Sequence, residues 1–137
     1  MERKIERCDY TKIHITLPIA PITKKNHQQI IKNKATGRLM VIQSAAYRQY
    51  ENDCGAFVPR IPFSTIDAPV NVKCVYYMPT HRRVDLVNLQ EATLDVLVKY
   101  GVLADDNSNI VVSMDGSRVL YDKENPRTEI DIETIAF

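Results

Sequence analysis

Between Lys12 and Leu17 the chain alternates Ile13, Ile15 and Leu17 with Lys12, His14 and Thr16, the period of two that marks a half-buried strand. Pro18 and Pro21 end it. Gln29 to Lys32 and Leu39 to Gln43 then flank Asn33-Lys34-Ala35-Thr36-Gly37, a glycine-containing connection of hairpin length, which predicts a β-hairpin with a basic tip. Ser44 stands where an N-cap belongs. Ala46, Tyr47, Tyr50, Cys54 and Phe57 recur behind it at helical spacing, so a helix runs to about Ala56. Pro59, Pro62 and Ser64 mark a connecting loop. From Val70 to Met78 the alternation returns, with Val70, Val72, Cys74, Tyr76 and Met78 on one face and Asn71, Lys73, Val75 and Tyr77 on the other: a central strand.

The period changes again in HRRVDLVNLQEATLDVLVKYGVLADDNSN, His81 to Asn109. Leu86, Leu89, Thr93, Leu97 and Tyr100 form one buried helical face, Asp85 opens it as an N-cap and Gly101 stops it. Asn88, Glu91, Asp95 and Lys99 fall on a second, polar stripe. Asn109 to Met114 reads as a short buried strand, Asp115-Gly116 as a turn, and Thr128 to Ile135 as a closing strand. Between them Ser117 to Arg127 reads as a polar loop carrying Arg118, Lys123 and Arg127, a mobile surface loop or a second phosphate contact. The order predicts an α+β fold: one domain over residues 1–137, with a mixed β-sheet of four to six strands and two helices packed on it. Residues 1–10 are polar and are expected to be poorly ordered.

Composition sets outer bounds. With 137 residues, 45% of them hydrophobic and 26% charged, the chain has material for one ordinary core. Cys8, Cys54 and Cys74 are odd in number and contain no C-x-x-C pair, which argues for reduced thiols in the cytoplasm and against a disulfide framework or a zinc site. No apolar export segment and no run of 18 apolar residues is present, so membrane spanning is not expected. His14, His27 and His81 are scattered and suggest neither a metal nor a triad.

The net charge of +1 hides an asymmetry. Residues 1–60 hold 11 Lys/Arg against 5 Asp/Glu, a net of +6, and residues 61–137 hold 7 against 12, a net of −5. Tyr10 to Tyr50 contains no acidic residue, while Lys12, Lys24, Lys25, Lys32, Lys34, Arg38 and Arg48 are basic. Such a block suits phosphate contacts beside an acidic site, and it equally suits a solvated face that balances the other half.

Spacing then asks whether carboxylates can meet. A helix from Asp85 to Tyr100 spans roughly 24 Å, and an extended return from Gly101 to Asp106 covers at most about 17 to 20 Å. A chain that doubles back can therefore bring Asp105 or Asp106 beside Asp85 and Asn88, with one of the acidic pair facing inward. Oxygen ligands of this kind hold Mg²⁺, and Arg82 and Arg83 just upstream suit phosphate. A plain N-cap and a plain turn explain the same residues. A calcium-binding EF-hand loop does not, because its sixth and twelfth places counted from Asp105 are Ile110 and Gly116.

The run RRVDLVNLQEATLDVLVKYGVLADDN resembles the core motif of the RusA-like Holliday-junction resolvases, phage and prophage endonucleases marked by Asp-x-Asp-Asn, a helix lysine and a closing Asp-Asp pair. The resemblance is dense between about residues 79 and 110 and looser over the rest. It implies an endonuclease of four-way DNA junctions, acting as a homodimer in recombination and repair with Mg²⁺ or Mn²⁺, in a bacterial host cell. Asp85, Asp105 and Asp106 would be the metal-binding catalytic carboxylates. Asn88, Arg82 and Arg83 would face DNA, with Lys24, Lys25, Lys32, Lys34 and Arg38 as further contacts. Two positions depart: Val87 replaces the second aspartate and Glu91 the lysine. Glu91 is the candidate to restore the missing carboxylate, with Asp95 on the same stripe. Lys99, or a lysine between 24 and 34, is the candidate for the missing cation. If neither substitution holds, the chain binds junctions without cutting them; a protein-interaction domain is the third reading.

Overall fold

A computed structural model describes residues 11–24, 28–59 and 65–135. Residues 1–10 and Lys25 lie outside them, so neither the expectation for the first ten residues nor the one for that lysine is addressed. The elements are β1 (Lys12–Leu17), β2 (Gln28–Lys32), β3 (Leu39–Gln43), α1 (Ala45–Cys54) with a 3-10 turn at Gly55–Phe57, β4 (Val70–Met78), α2 (Leu86–Lys99), β5 (Val111–Ser113), β6 (Arg118–Tyr121) and β7 (Arg127–Thr134). This is the expected α+β architecture, a mixed sheet with two helices.

The last strand lies in the middle. β7 pairs antiparallel with both β1 and β4, while β5 and β6 pair parallel with β4 along its other edge. Register explains why: Ile13 opposes Ile132, Ile15 opposes Ile130, and Cys74 and Val72 take the same two isoleucines from the other side. Alternation puts all of them on one face, and Ile15, Leu17, Val70, Val72, Cys74, Tyr76, Ile130 and Ile132 are buried there. Tyr47, Tyr50 and Cys54 of α1 and Leu89, Ala92, Val96 and Leu97 of α2 complete the same core.

Two expectations change. Ser117 to Arg127 contains the strand β6, whose residues pair with Val75 to Met78 of β4. The hairpin forms as foreseen, but β2 and β3 make a separate two-stranded sheet. Its tip closes because Asn33 Oδ1 accepts the Ala35 and Thr36 N–H groups at 2.9 and 3.2 Å, while Gly37 takes φ 73°, where a side chain would be strained.

Candidate nucleic-acid and metal site

β4 ends at Met78, and residues 79–85 carry the chain from the sheet to α2. Asp85 is the N-cap: its carboxylate accepts the Val87 N–H at 3.3 Å and an Asn88 side-chain N–H at 3.5 Å. Arg82 and Arg83 on this connection are exposed. No ion pair holds either of them among the described residues. They border two grooves, one of about 350 Å³ against Pro21 and Thr23, and one of about 470 Å³ running from Arg83 past Asp85 to Asn88. Two exposed guanidiniums beside an exposed helix start suit a phosphate backbone.

The acidic pair lies at the other end of α2. After Gly101, at φ 78°, the Val102 and Leu103 N–H groups both return to the Leu97 carbonyl, at 2.9 and 3.2 Å. Leu103 bridges to Ile66, and Ala104 N–H bonds the Ile66 carbonyl at 2.9 Å. The return is thus folded under the helix C-terminus instead of running back along it. Asp106 consequently feels Asp95, about 15 Å along the axis from Asp85. The side chains that perturb Asp106 most are Asp105 and Asp95, and neither Asp85 nor Asn88 is among them. Among the described residues no group of three or more His, Cys, Asp or Glu side chains is placed to hold a metal ion.

Asp105 and Asp106, however, converge. Asp105 Oδ1 accepts the Asp106 N–H at 2.7 Å and Oδ2 accepts an Asn107 side-chain N–H at 3.0 Å, which turns its carboxylate back onto the chain. The two carboxyls then perturb one another in opposite directions. The Asp106 N–H and Asn107 amide hold Asp105 below its ordinary range, while partial burial and the Asp105 carboxylate push Asp106 up. Spacing alone had assigned only one of the pair to the inside; the Asx turn brings both together.

The polar stripe of α2 is engaged too. Lys24 donates to Asp95, and Glu91 and Glu51 lie in the field of the same ammonium. Lys99 Nζ donates to Glu51 Oε1 of α1 at 3.1 Å. Lys24 is therefore bound to the helix, and Glu91 sits with a cation beside it. Lys32, Lys34 and Arg38 are exposed on the hairpin. Arg127, expected on a polar loop, lies in β7 instead, bonded to Glu129 at 2.6 Å and Asp122 at 2.9 Å and stacked over Tyr77.

Sequence reasoning missed His14. Its Nδ1 and Nε2 lie 2.7 Å from Asp131 and 3.0 Å from Glu129, partners that strand pairing brings from more than a hundred residues away. Cys54 and Cys74 are buried free thiols, both raised by burial. They are not nucleophiles at neutral pH.

The family model Endodeoxyribonuclease RusA matches residues 18–133. The chain belongs to this family. The RusA match begins at the end of β1 and ends within β7, so it takes in both helices, the acidic turn and the arginine connection. It agrees with the motif read between Arg82 and Asn107. No curated protein matches the chain. No helix among the described residues is long and apolar enough to cross a membrane.

Proposed function

We propose that the protein is a metal-dependent endonuclease that hydrolyses phosphodiester bonds of four-way DNA junctions. The observation that carries this reading is the match to the RusA endodeoxyribonuclease family over residues 18–133, a stretch that includes Asp85, Asn88, Asp105 and Asp106. Arg82 and Arg83 hold backbone phosphates, and the exposed Lys32, Lys34 and Arg38 extend the basic surface along the hairpin.

Among the described residues of one chain no three carboxylates are grouped to hold a metal ion. A two-carboxylate site does, because Mg²⁺ commonly takes one or two carboxylates and fills its remaining positions with water and substrate phosphate. Asp105 and Asp106 would hold it; partial burial first, and the neighbouring Asp105 carboxylate second, push the Asp106 carboxyl up. Mg²⁺ or Mn²⁺ bound there supplies an activated water and offsets charge building on the phosphate. The chain's own contribution is to fix the pair through the Asp106 and Asn107 contacts and to hold DNA by its arginines. Asp85, with Asn88, orders the start of α2 and the arginine connection before it. A homodimer would present two such sites to a two-fold symmetric junction. The setting we propose is DNA recombination and repair in the cytoplasm of a bacterial host, from a phage or prophage gene.

Val87, 65% exposed where the family has a carboxylate, favours a second reading: a junction-binding protein that does not cut. One experiment separates them. A labelled four-way junction is incubated with Mg²⁺ or Mn²⁺, with EDTA, and with the Asp106→Asn and Asp85→Asn variants. Metal-dependent nicking lost in Asp106→Asn supports the nuclease; tight binding without nicking in either metal rejects it for the binder.

A further inference from the structure

His81 and Tyr121 stack, with ring centroids 3.8 Å apart and planes at 20°. Tyr121 ends β6 opposite Met78, the last residue of β4, and the Asp122 N–H bonds the Met78 carbonyl at 2.9 Å. The chain turns at Pro79 and Thr80 and lays the imidazole on the phenol. The pair is not buried by this: His81 is exposed and Tyr121 is 42% exposed. Val119 and Leu120 beside it are 37% and 42% exposed. A groove of about 300 Å³ runs between Thr80, His81, Arg82 and these β6 residues.

Scattered apolar side chains on a surface need no explanation, but here they are contiguous, aromatic at one end and cationic at the other. Arg82 follows His81 directly, so guanidinium and ring leave backbone positions about 3.8 Å apart. Its charge is unpaired among the described residues. An aromatic platform joined to a free cation matches the two parts of a nucleotide, an apolar base face and a phosphate.

We infer that the His81–Tyr121 pair is a stacking site for one unpaired nucleobase of branched or single-stranded DNA, whose phosphate Arg82 holds. This rests on the junction reading and deepens it by assigning a contact to a base that has left the double helix. Duplex phosphates alone are recognised by charge, whereas this site reads the exposed π-face of a splayed base whatever its sequence.

The test compares affinities of the full chain for labelled oligothymidylate about twelve nucleotides long and for an abasic strand of equal length and charge, beside a four-way junction. Wild type should bind the base-bearing strand about tenfold more tightly, by the usual worth of one stacked base. Tyr121→Ala and His81→Ala should remove most of that ratio, and Tyr121→Phe should keep it. Neither alanine should change the salt dependence, which counts phosphates. A ratio unchanged in both alanine variants overturns the stacking site while leaving junction binding intact. A dimer that dissociates in Tyr121→Ala with the ratio unchanged also overturns it, assigning the patch to a second copy. Wild type that binds neither strand nor the junction removes the reading on which the site rests.

Discussion

Lys24, beyond the end of β1, donates its ammonium to Oδ2 of Asp95 on the third turn of α2. The lysine stays charged to higher pH than usual because Asp95 accepts its hydrogen bond, and Glu91 and Glu51 add to the same field. With Lys99, which donates to Glu51, it keeps an acidic helix face compatible with its neighbour α1.

Replacing Lys24 by Met removes the ammonium that Asp95 accepts from and that Glu91 and Glu51 also feel, so the variant should lose stability. Both side chains are about a third exposed, which limits the pair itself to about 1 kcal/mol. A double-mutant cycle with Asp95→Asn, followed by urea unfolding, measures it. A coupling indistinguishable from zero would show that the contact is incidental. Raising ionic strength should reduce the difference.

Tyr47 gives the opposite sign. Its side chain is 1% exposed, and its hydroxyl has no hydrogen-bond partner among the described residues. A buried, unsatisfied hydroxyl costs stability, so Tyr47→Phe should be neutral or stabilising by up to about 1 kcal/mol. A loss above that range in urea unfolding would mean that the hydroxyl has a partner after all.

Gly55 is required by volume. A Cβ there would lie 2.6 Å from two ring carbons of Tyr100, whose hydroxyl is tied to the Glu51 carbonyl at 2.9 Å. Gly55→Ala should therefore cost about 1 to 3 kcal/mol, as overpacking does. In the background of Tyr100→Ala the same substitution should cost much less. Equal costs in the two backgrounds would exclude the clash.

His14 sets a pH dependence. Its pKa is raised from 6.5, first by the hydrogen bond to Asp131, with Glu129 adding to it and partial burial opposing. A base whose pKa rises on folding stabilises the folded state fully below its unfolded value and loses that contribution as pH rises through the folded one. Unfolding midpoints of wild type should thus fall relative to His14→Gln from about pH 6.5 upward. Parallel pH profiles would show that the imidazole is not coupled to folding.

Period made most of the fold legible. β1, β4 and β7 alternate and the two helices repeat their apolar residues, because each buries only one face. β6 was not legible: Arg118 to Tyr121 is four residues long and exposed on both sides at an edge, so it has no inside to mark. Spacing and motif single out the acidic residues as candidates, but not the turn that holds Asp105 and Asp106. Where Asp105 and Asp106 go is decided by Leu103 meeting Ile66 and Leu97, a tertiary contact that no local pattern announces. His14 had no signal either, since its partners are 115 and 117 positions away.

The position of β7 between β1 and β4 also governs when this molecule can exist during synthesis. Until Arg127 to Thr134 have left the ribosome, β1 has no strand to pair with and β4 lacks its longest partner. The two helices lack Ile130 and Ile132 from their apolar platform. Residues 12 to 134 must therefore all emerge before the sheet closes, and contacts of such long sequence separation form slowly. A nascent chain stalled before residue 127 holds the acidic turn and the arginines on an unfinished scaffold, so DNA-cutting capacity would arrive late and all at once.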